Sequence, residues 1–307
     1  MARQCQWQLM SLKSSTSSSP RPAPSRWPRN ASKMPFPYTE VIAFTALLAL
    51  LSTQDAKTLL TLGAFVLAQA GLYYLLRFAL LPSAAGGDER ALRKQRSWLL
   101  SLHVSVIFGG LIAPVYFCWT VGAIWRGAPA FNAFWAAETE GVRLLSLYFV
   151  AFCLCDLLVG LREYREHLQW DSGFLHHTTF VWLLLHVFLP HGLGVFFLVY
   201  SPFEVPTLIL ALGSVFPGLR SDALFGATFF AFRIVYHVFM FAYCALASSA
   251  PAWAVWASGS PTLVFHLMWF YRWAIGQLRR SSAKGGSLGK GRESVVDQPR
   301  APPRARD

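Results

Sequence analysis

A small set of ionisable side chains lies inside long apolar stretches of this chain, and these residues could do chemistry. The set comprises His103, Asp156, His176, His177, Glu204, Arg233 and His237. Because a charge facing lipid is costly, an ionisable residue within a membrane helix usually faces the protein interior and is a functional candidate. The sequence contains no Walker loop, GxGxxG motif or Ser-His-Asp pattern, so function has to be argued from these side chains.

The adjacent pair His176 and His177 is the candidate for catalysis. A neutral imidazole can accept a proton near neutral pH. Successive side chains point about 100° apart on a helix, so only one of the two can face a central cavity squarely. Asp156 and His103 lie at a similar depth near the same membrane surface, and Asp156 could hold an imidazole in the useful tautomer. Helix packing is the alternative interpretation of the histidine pair.

A second polar layer is predicted nearer the middle of the membrane. Arg233 and His237 are four residues apart and share a helix face. At about 1.5 Å of rise per residue, Glu204 reaches nearly the same depth in a neighbouring segment. We therefore predict an ion pair between Glu204 and Arg233. The pair could line a cavity with His237, or it could only lock two helices together.

The elements that carry these residues are predicted to be membrane helices, because 54% of the 307 residues are hydrophobic and only 14% are charged. A helix that crosses the hydrocarbon needs about 20 apolar residues. We predict an all-α integral membrane protein with seven spans, at 59–81, 98–121, 142–161, 174–189, 193–217, 222–249 and 252–275. The run 41–52 would be an eighth if it also crosses. Pro190, His191 and Gly192 predict a tight turn, and one kinked helix over 174–200 is the alternative.

The distribution of basic residues predicts the orientation. With the carboxyl tail in the cytosol, seven basic residues fall in cytosolic connections: Arg90, Arg93, Lys94, Arg96, Arg162, Arg165 and Arg220. Only Arg126 and Arg143 fall on the opposite side. This asymmetry obeys the positive-inside rule. Seven spans would place the basic amino tail on the wrong side, unless the run 41–52 also crosses or that tail is removed.

The two tails differ from the apolar centre in composition. Residues 1–40 are rich in Ser, Pro and basic residues, which predicts a disordered segment and is also typical of a targeting segment. Residues 279–307 predict a disordered basic cytosolic tail. Basic tails beside a bilayer indicate topology and anionic lipid rather than nucleic acid, so no nucleic-acid partner is expected. The five cysteines have no metal-type spacing, and neither a metal nor a cofactor is predicted.

Four short motifs within residues 90–278 occur in an order and at depths that resemble the TLC-domain family. They are Tyr148-Phe-Val-Ala-Phe-Cys-Leu-Cys-Asp156, Phe174-Leu-His176-His177, Glu204-Val-Pro-Thr207 and Phe229-Phe-Ala-Phe-Arg233-Ile. Trp98 and His103 resemble the opening of the family pattern. The resemblance implies six helices in a ring around a lipid-accessible cavity. We predict that the polar lining of this cavity is His103, Asp156, Glu204, Arg233 and His237, and that residues 41–89 form an amino-terminal membrane segment. The resemblance also implies the endoplasmic reticulum, although another organellar membrane stays open.

The resemblance is closer to the branch that does not contain the ceramide synthases. In ceramide synthases the histidine pair is followed by His-Asp and a further Asp. Here Phe203 and Glu204 replace the His-Asp pair, and Thr207 replaces the further Asp. The resemblance therefore implies a protein of lipid homeostasis that binds or modifies an acyl lipid. The alternative is an acyl-CoA-dependent acyltransferase in which His176 or His177 is the general base. A di-iron lipid enzyme would need several clustered histidine motifs, and only one pair is present.

Overall fold

The computed structural model describes the backbone of residues 36–81, 88–247, 249 and 251–290, with side chains between residues 40 and 280. The described chain is helical and contains no strand. Its helices, numbered in chain order, are α1 Phe36–Leu51, α2 Ala56–Leu80, α3 Glu89–Trp125, α4 Ala128–Trp135, α5 Glu140–Glu163, α6 Trp170–His191, α7 Gly194–Val215, α8 Asp222–Ala247 and α9 Ala252–Lys290.

Six helices in the described ranges are long and apolar enough to cross a membrane, namely α2, α3, α5, α6, α7 and α8. The prediction of an all-α membrane protein is therefore confirmed at this level. The predicted span 252–275 is helical within α9, but its composition is less apolar and it is not one of the six. The run 41–52 falls within the 16-residue helix α1 up to Leu51, where the helix ends.

The tight turn predicted between the fourth and fifth spans is confirmed. Gly192 has a φ of 63° in the left-handed region, where a residue without a Cβ is least strained, and α6 ends directly before it. The alternative of one kinked helix over 174–200 is therefore wrong. Other helices begin at side-chain caps: Asp55 accepts a hydrogen bond from the Thr58 amide at 2.8 Å, and Thr139 accepts one from the Val142 amide at 3.3 Å.

Helices α5 and α7 form the centre of the bundle. Of the most apolar 18-residue window in each helix, 72% is buried in α5 and 67% in α7, against 17% in α2. Helix α2 packs along α5, and the buried Gln69 amide donates to the Tyr148 carbonyl at 2.9 Å. Helix α3 packs against α7, and α8 against α9. The polar residues of interest therefore lie on the most enclosed helices.

Charged contacts define the two ends of the bundle. At one end, Arg77 donates to Glu163 at 2.7 Å and Arg165 donates to both carboxylate oxygens of Glu40 at 2.8 Å. At the other end, Lys57 lies 3.4 Å from Glu140. Helix α1 starts at the first of these ends. Its Leu50 carbonyl is 3.2 Å from His186 Nε2 towards the second end, so α1 runs parallel to α6.

Two predicted domain boundaries differ from the helix ends in the structure. Helix α1 begins at Phe36, inside the segment 1–40 that was predicted to be disordered. Helix α9 continues to Lys290, past residue 278, because the polar residues that follow still allow helical hydrogen bonds after the apolar stretch ends. The remainder of the two predicted tails, 1–35 and 291–307, lies outside the described residues.

Candidate functional site

A small cavity lies at the centre of the bundle, where α3, α5, α6, α7, α8 and α9 meet. Its volume is about 50 Å³. Most of its wall is aromatic, with Phe108, Phe149, Phe180, Phe188, Phe196, Phe197 and Phe203 among the lining residues. The polar lining groups are Tyr200, Ser201, Glu204, His237, Ser258 and Thr262. This volume holds a few water molecules but is well below the roughly 300 Å³ of the smallest typical ligand pockets.

Arg233 of α8 lies beside the cavity and is held by three residues of α7 that follow Tyr200. Its Nε donates to the Phe203 carbonyl at 2.7 Å, and its Nη2 donates to Thr207 Oγ1 at 2.6 Å. Glu204 Oε1 is 3.8 Å from Nη2. The predicted ion pair is thus present, but it is the longest of the three contacts. Only 3% of the Arg233 side chain is exposed, so all three contacts operate in a dry environment.

The partners of Arg233 were only partly predictable. Thr207 was interpreted as the replacement for an acidic residue, and in the structure its hydroxyl accepts a bond from the guanidinium. The Phe203 carbonyl had no sequence signal, because every residue carries a carbonyl. This carbonyl belongs to a short 3-10 turn, Ser201–Phe203, that directly precedes Glu204. Such turns leave carbonyls available to outside donors.

His237 contacts a second histidine, His266 of α9. His237 Nδ1 is 3.1 Å from His266 Nδ1, and His266 Nδ1 is 3.0 Å from the Arg233 carbonyl. A carbonyl accepts only from a protonated nitrogen. If His266 carries its proton on Nδ1, the facing His237 Nδ1 is therefore the unprotonated nitrogen of its ring. This pair links α8 to α9 at the cavity.

The predicted proximity of Asp156 to the histidine pair is confirmed for His177. His177 Nδ1 lies 3.5 Å from Asp156 Oδ2, and both side chains are 9% exposed. Tyr164, which the sequence did not single out, donates its hydroxyl to Asp156 Oδ1 at 2.6 Å. Tyr164 lies just beyond the end of α5, where burial and the Asp156 carboxylate raise its pKa well above the ordinary value. The phenol therefore stays protonated and remains a donor to Asp156.

His176 points away from Asp156, as expected for the neighbouring position on a helix. Its ring packs against Phe180 at a centroid distance of 4.8 Å and against Trp269 of α9 at 5.3 Å. Neither histidine lines the central cavity, whereas Phe180, one turn further along α6, does. The two polar layers are therefore separated by an aromatic side chain.

Five residues were predicted to line one cavity, but the structure places only two of them in its wall. Glu204 and His237 line it. Arg233 lies behind Glu204, and Asp156 faces His177. His103 turns to the opposite side of α5, where its Nε2 is 2.8 Å from the Tyr148 hydroxyl. The physical reason is the width of the bundle: residues at one depth on different helices share a layer but do not all reach its centre.

The helices around the cavity are distorted close to these residues. Helix α3 has a π-helical segment at Val106–Ile112, α6 has two at Trp170–Leu175 and Leu183–Phe188, and α8 has one at Phe229–Tyr236. Such segments are rare and often occur at functional sites. The α3 segment includes Gly109, where an added Cβ would lie only 2.7 Å from the Glu204 carbonyl oxygen. The backbone of α3 therefore touches α7 at the cavity.

Within the described side chains, no group of three or more His, Cys, Asp and Glu residues is arranged to hold a metal ion. Comparisons with protein-family models, with curated proteins and with solved structures found no match to this chain.

Proposed function

We propose that this chain binds an acyl lipid inside the membrane and acts in membrane lipid homeostasis, in line with its resemblance to the non-synthase branch of the TLC-domain family. The supporting observation is that six helices line one cavity, in which polar side chains from α7, α8 and α9 are set in an otherwise apolar and mostly aromatic wall. Intramembrane ionisable groups are expensive and are usually retained for function. The number of helices that line this cavity equals the number that the resemblance implies for the ring.

The polar groups and the aromatic wall would contact different parts of the lipid. Glu204 and His237 would meet its polar end, and the phenylalanine wall would meet the hydrocarbon. Because the cavity is only about 50 Å³ in this closed arrangement, an acyl chain enters only if aromatic side chains such as Phe180 turn aside. The bound state is therefore expected to be larger than the closed one.

A second candidate function is acyl transfer from acyl-CoA, and one specific observation favours it. Tyr164 donates a hydrogen bond to Asp156, and the other oxygen of the Asp156 carboxylate faces Nδ1 of the His177 imidazole. With the proton on Nδ1, the free Nε2 could accept a proton from an amine or hydroxyl as that group attacks the thioester carbon. The carbon–sulfur bond then breaks, and the leaving CoA thiolate takes up the proton. The products are an amide or ester and free CoA.

Lipid mass spectrometry of the purified protein tests the first function. Wild-type protein should retain a defined acyl lipid, and Glu204→Gln should retain several-fold less, because Glu204 lines the cavity where the polar end of the lipid would lie. His176→Gln is the control, and it should keep the lipid because His176 does not line the cavity and its ring packs against Phe180 and Trp269. Both variants should stay folded in detergent. Equal lipid content in all three proteins would contradict a role for Glu204.

His177→Gln separates catalysis from binding, because His177 faces Asp156 and does not line the cavity. If acyl transfer occurs, wild-type protein incubated with acyl-CoA and membrane lipid should release free CoA, and His177→Gln should slow this about 10² to 10⁴-fold, the usual contribution of a general base. Bound lipid would then be unchanged in the variant. Absence of CoA release from wild-type protein, together with loss of lipid in Glu204→Gln, would leave binding as the function.

We also infer that α1 and α9 cross the membrane, which gives eight crossings with both tails in the cytosol. The end of the bundle at Arg77 and Glu163 carries eleven basic and seven acidic described side chains, whereas the opposite end carries three of each. This asymmetry follows the positive-inside rule. Because α1 runs parallel to α6, it starts on the basic side. The basic amino tail therefore lies on the same side as the other basic residues, which a chain with seven spans would not allow.

Tags placed before residue 36 and after residue 290 test this topology. After selective permeabilisation of the plasma membrane, protease should remove both tags, because both tails are expected on the basic side. A tag inserted between α4 and α5 should be protected. Protection of the amino-terminal tag alone would contradict the crossing of α1, and protection of both tags would reverse the assigned orientation.

A further inference from the structure

A second, much larger recess opens on the outside of the bundle. It has a volume of about 680 Å³ and lies between α2, α3, α4, α5 and the start of α7. Its wall is almost wholly apolar and includes Phe65, Tyr116, Trp119, Phe134 and Leu145. It shares no lining residue with the central cavity. We call this recess the lateral groove.

The length of the lateral groove matches one leaflet of a bilayer. Along α5 its lining extends from Thr139, the residue that caps the helix, to Tyr148. Nine residues of helix rise about 13 Å, and half of a hydrocarbon core of about 30 Å is about 15 Å. The groove therefore runs from the membrane boundary to the bilayer midplane. Because its wall is apolar, hydrocarbon is a better occupant than water.

Charged side chains surround the outer end of the groove. Lys57 lies 3.4 Å from Glu140, and Arg143 lies 3.9 Å from Asp55. Between 37% and 76% of each of these four side chains is exposed, so all four can reach a headgroup. With Glu138 and Arg126 included, the described side chains at this end carry three positive and three negative charges, which sum to zero. This arrangement complements a headgroup with one phosphate and one ammonium, whereas an anionic headgroup would find no surplus of positive charge.

We propose that the lateral groove binds one acyl chain of a zwitterionic phospholipid from this leaflet, with the four charged residues at its outer end contacting the headgroup. Arg143 and Lys57 would face the phosphate, and Glu140 and Asp55 the ammonium. The aromatic floor ends at Tyr148, whose hydroxyl is already paired with His103, so no unpaired charge meets the chain terminus. This site is separate from the central cavity and does not depend on the function proposed for it.

Photo-crosslinking of the full chain in phosphatidylcholine vesicles tests this site. The probe is a trace of phosphatidylcholine with a diazirine on its acyl chain, and labelled residues are mapped by mass spectrometry. Labelling should concentrate on the segment from Thr139 to Tyr148. Leu144→Trp fills the groove and should lower this labelling about tenfold, since each buried methylene is worth about a factor of four in affinity.

Leu60→Trp is the matched control, because Leu60 is an exposed leucine near the same end of α2 and does not line the groove. It should leave labelling unchanged. Gly141→Leu provides a second filling variant, since a Cβ at Gly141 meets only Thr139 Oγ1, at 3.7 Å. Labelling spread evenly over the lipid-facing surface, and unchanged by either filling variant, would overturn the proposal. Stronger competition by unlabelled phosphatidylglycerol or cholesterol than by phosphatidylcholine would overturn the assigned lipid class.

Discussion

Replacing Arg233 with Met is expected to destabilise the protein by about 3–5 kcal/mol, the usual cost of removing one partner from a buried charged pair. The Phe203 carbonyl and the Thr207 hydroxyl would lose their donor, and the Glu204 carboxylate would lose the cation 3.8 Å away. The melting temperature in detergent should fall by about 10 °C. Arg143→Met is the control. Its charge is 37% exposed, so its loss should cost at most about 1 kcal/mol.

The double variant tests whether Glu204 and Arg233 are energetically coupled. Glu204→Gln alone should cost less than Arg233→Met, because Arg233 keeps its two shorter hydrogen bonds. Once Arg233 is gone, Glu204→Gln should restore part of the lost stability, since it removes an unpaired buried carboxylate. Strictly additive losses would show that the carboxylate and the guanidinium do not interact, despite their separation of 3.8 Å.

Depth along the membrane normal was the most predictable property of this site. Rise per residue and the sidedness of the charges were sufficient to place Glu204 level with Arg233 and Asp156 level with the histidine pair. Both predicted proximities are present, at 3.8 Å and 3.5 Å. Rotation about each helix was less predictable, because a residue at the correct depth can face any neighbour. His103 lies in the predicted layer and still faces Tyr148.

The groups that the sequence did not indicate are those whose position depends on irregular backbone. Tyr164 reaches Asp156 only because the chain leaves α5 at this residue, which has a φ of −148° and a ψ of 40°. Helical periodicity ends there, so it cannot assign a direction to the phenol. The π-helical segment Phe229–Tyr236 likewise changes the hydrogen-bond register around Arg233. No residue type in that segment specifies it.

Substituting Gly109 with Ala is the second change expected to have a large effect. A Cβ at this position would lie 2.7 Å from the Glu204 carbonyl oxygen and 2.8 Å from its carbon. These are backbone atoms, so no side chain can rotate away, and α3 must shift from α7. Overpacking of this kind costs about 1–3 kcal/mol. Small residues allow close approach of membrane helices, which explains a glycine at this contact.

Gly110→Ala is the matched control, because it adds the same methyl group one residue further along the same π-helical segment. Its Cβ would meet Leu208 Cδ2 at 3.7 Å, an ordinary contact with a mobile side chain. Alanine also stabilises a helix relative to glycine by up to about 1 kcal/mol. Gly110→Ala should therefore melt at or slightly above the wild-type temperature and retain bound lipid. Gly109→Ala should melt lower and lose lipid, because the shift of α7 displaces Glu204 from the cavity. Equal melting temperatures and equal lipid content in the two variants would show that the approach of α3 to α7 does not position Glu204.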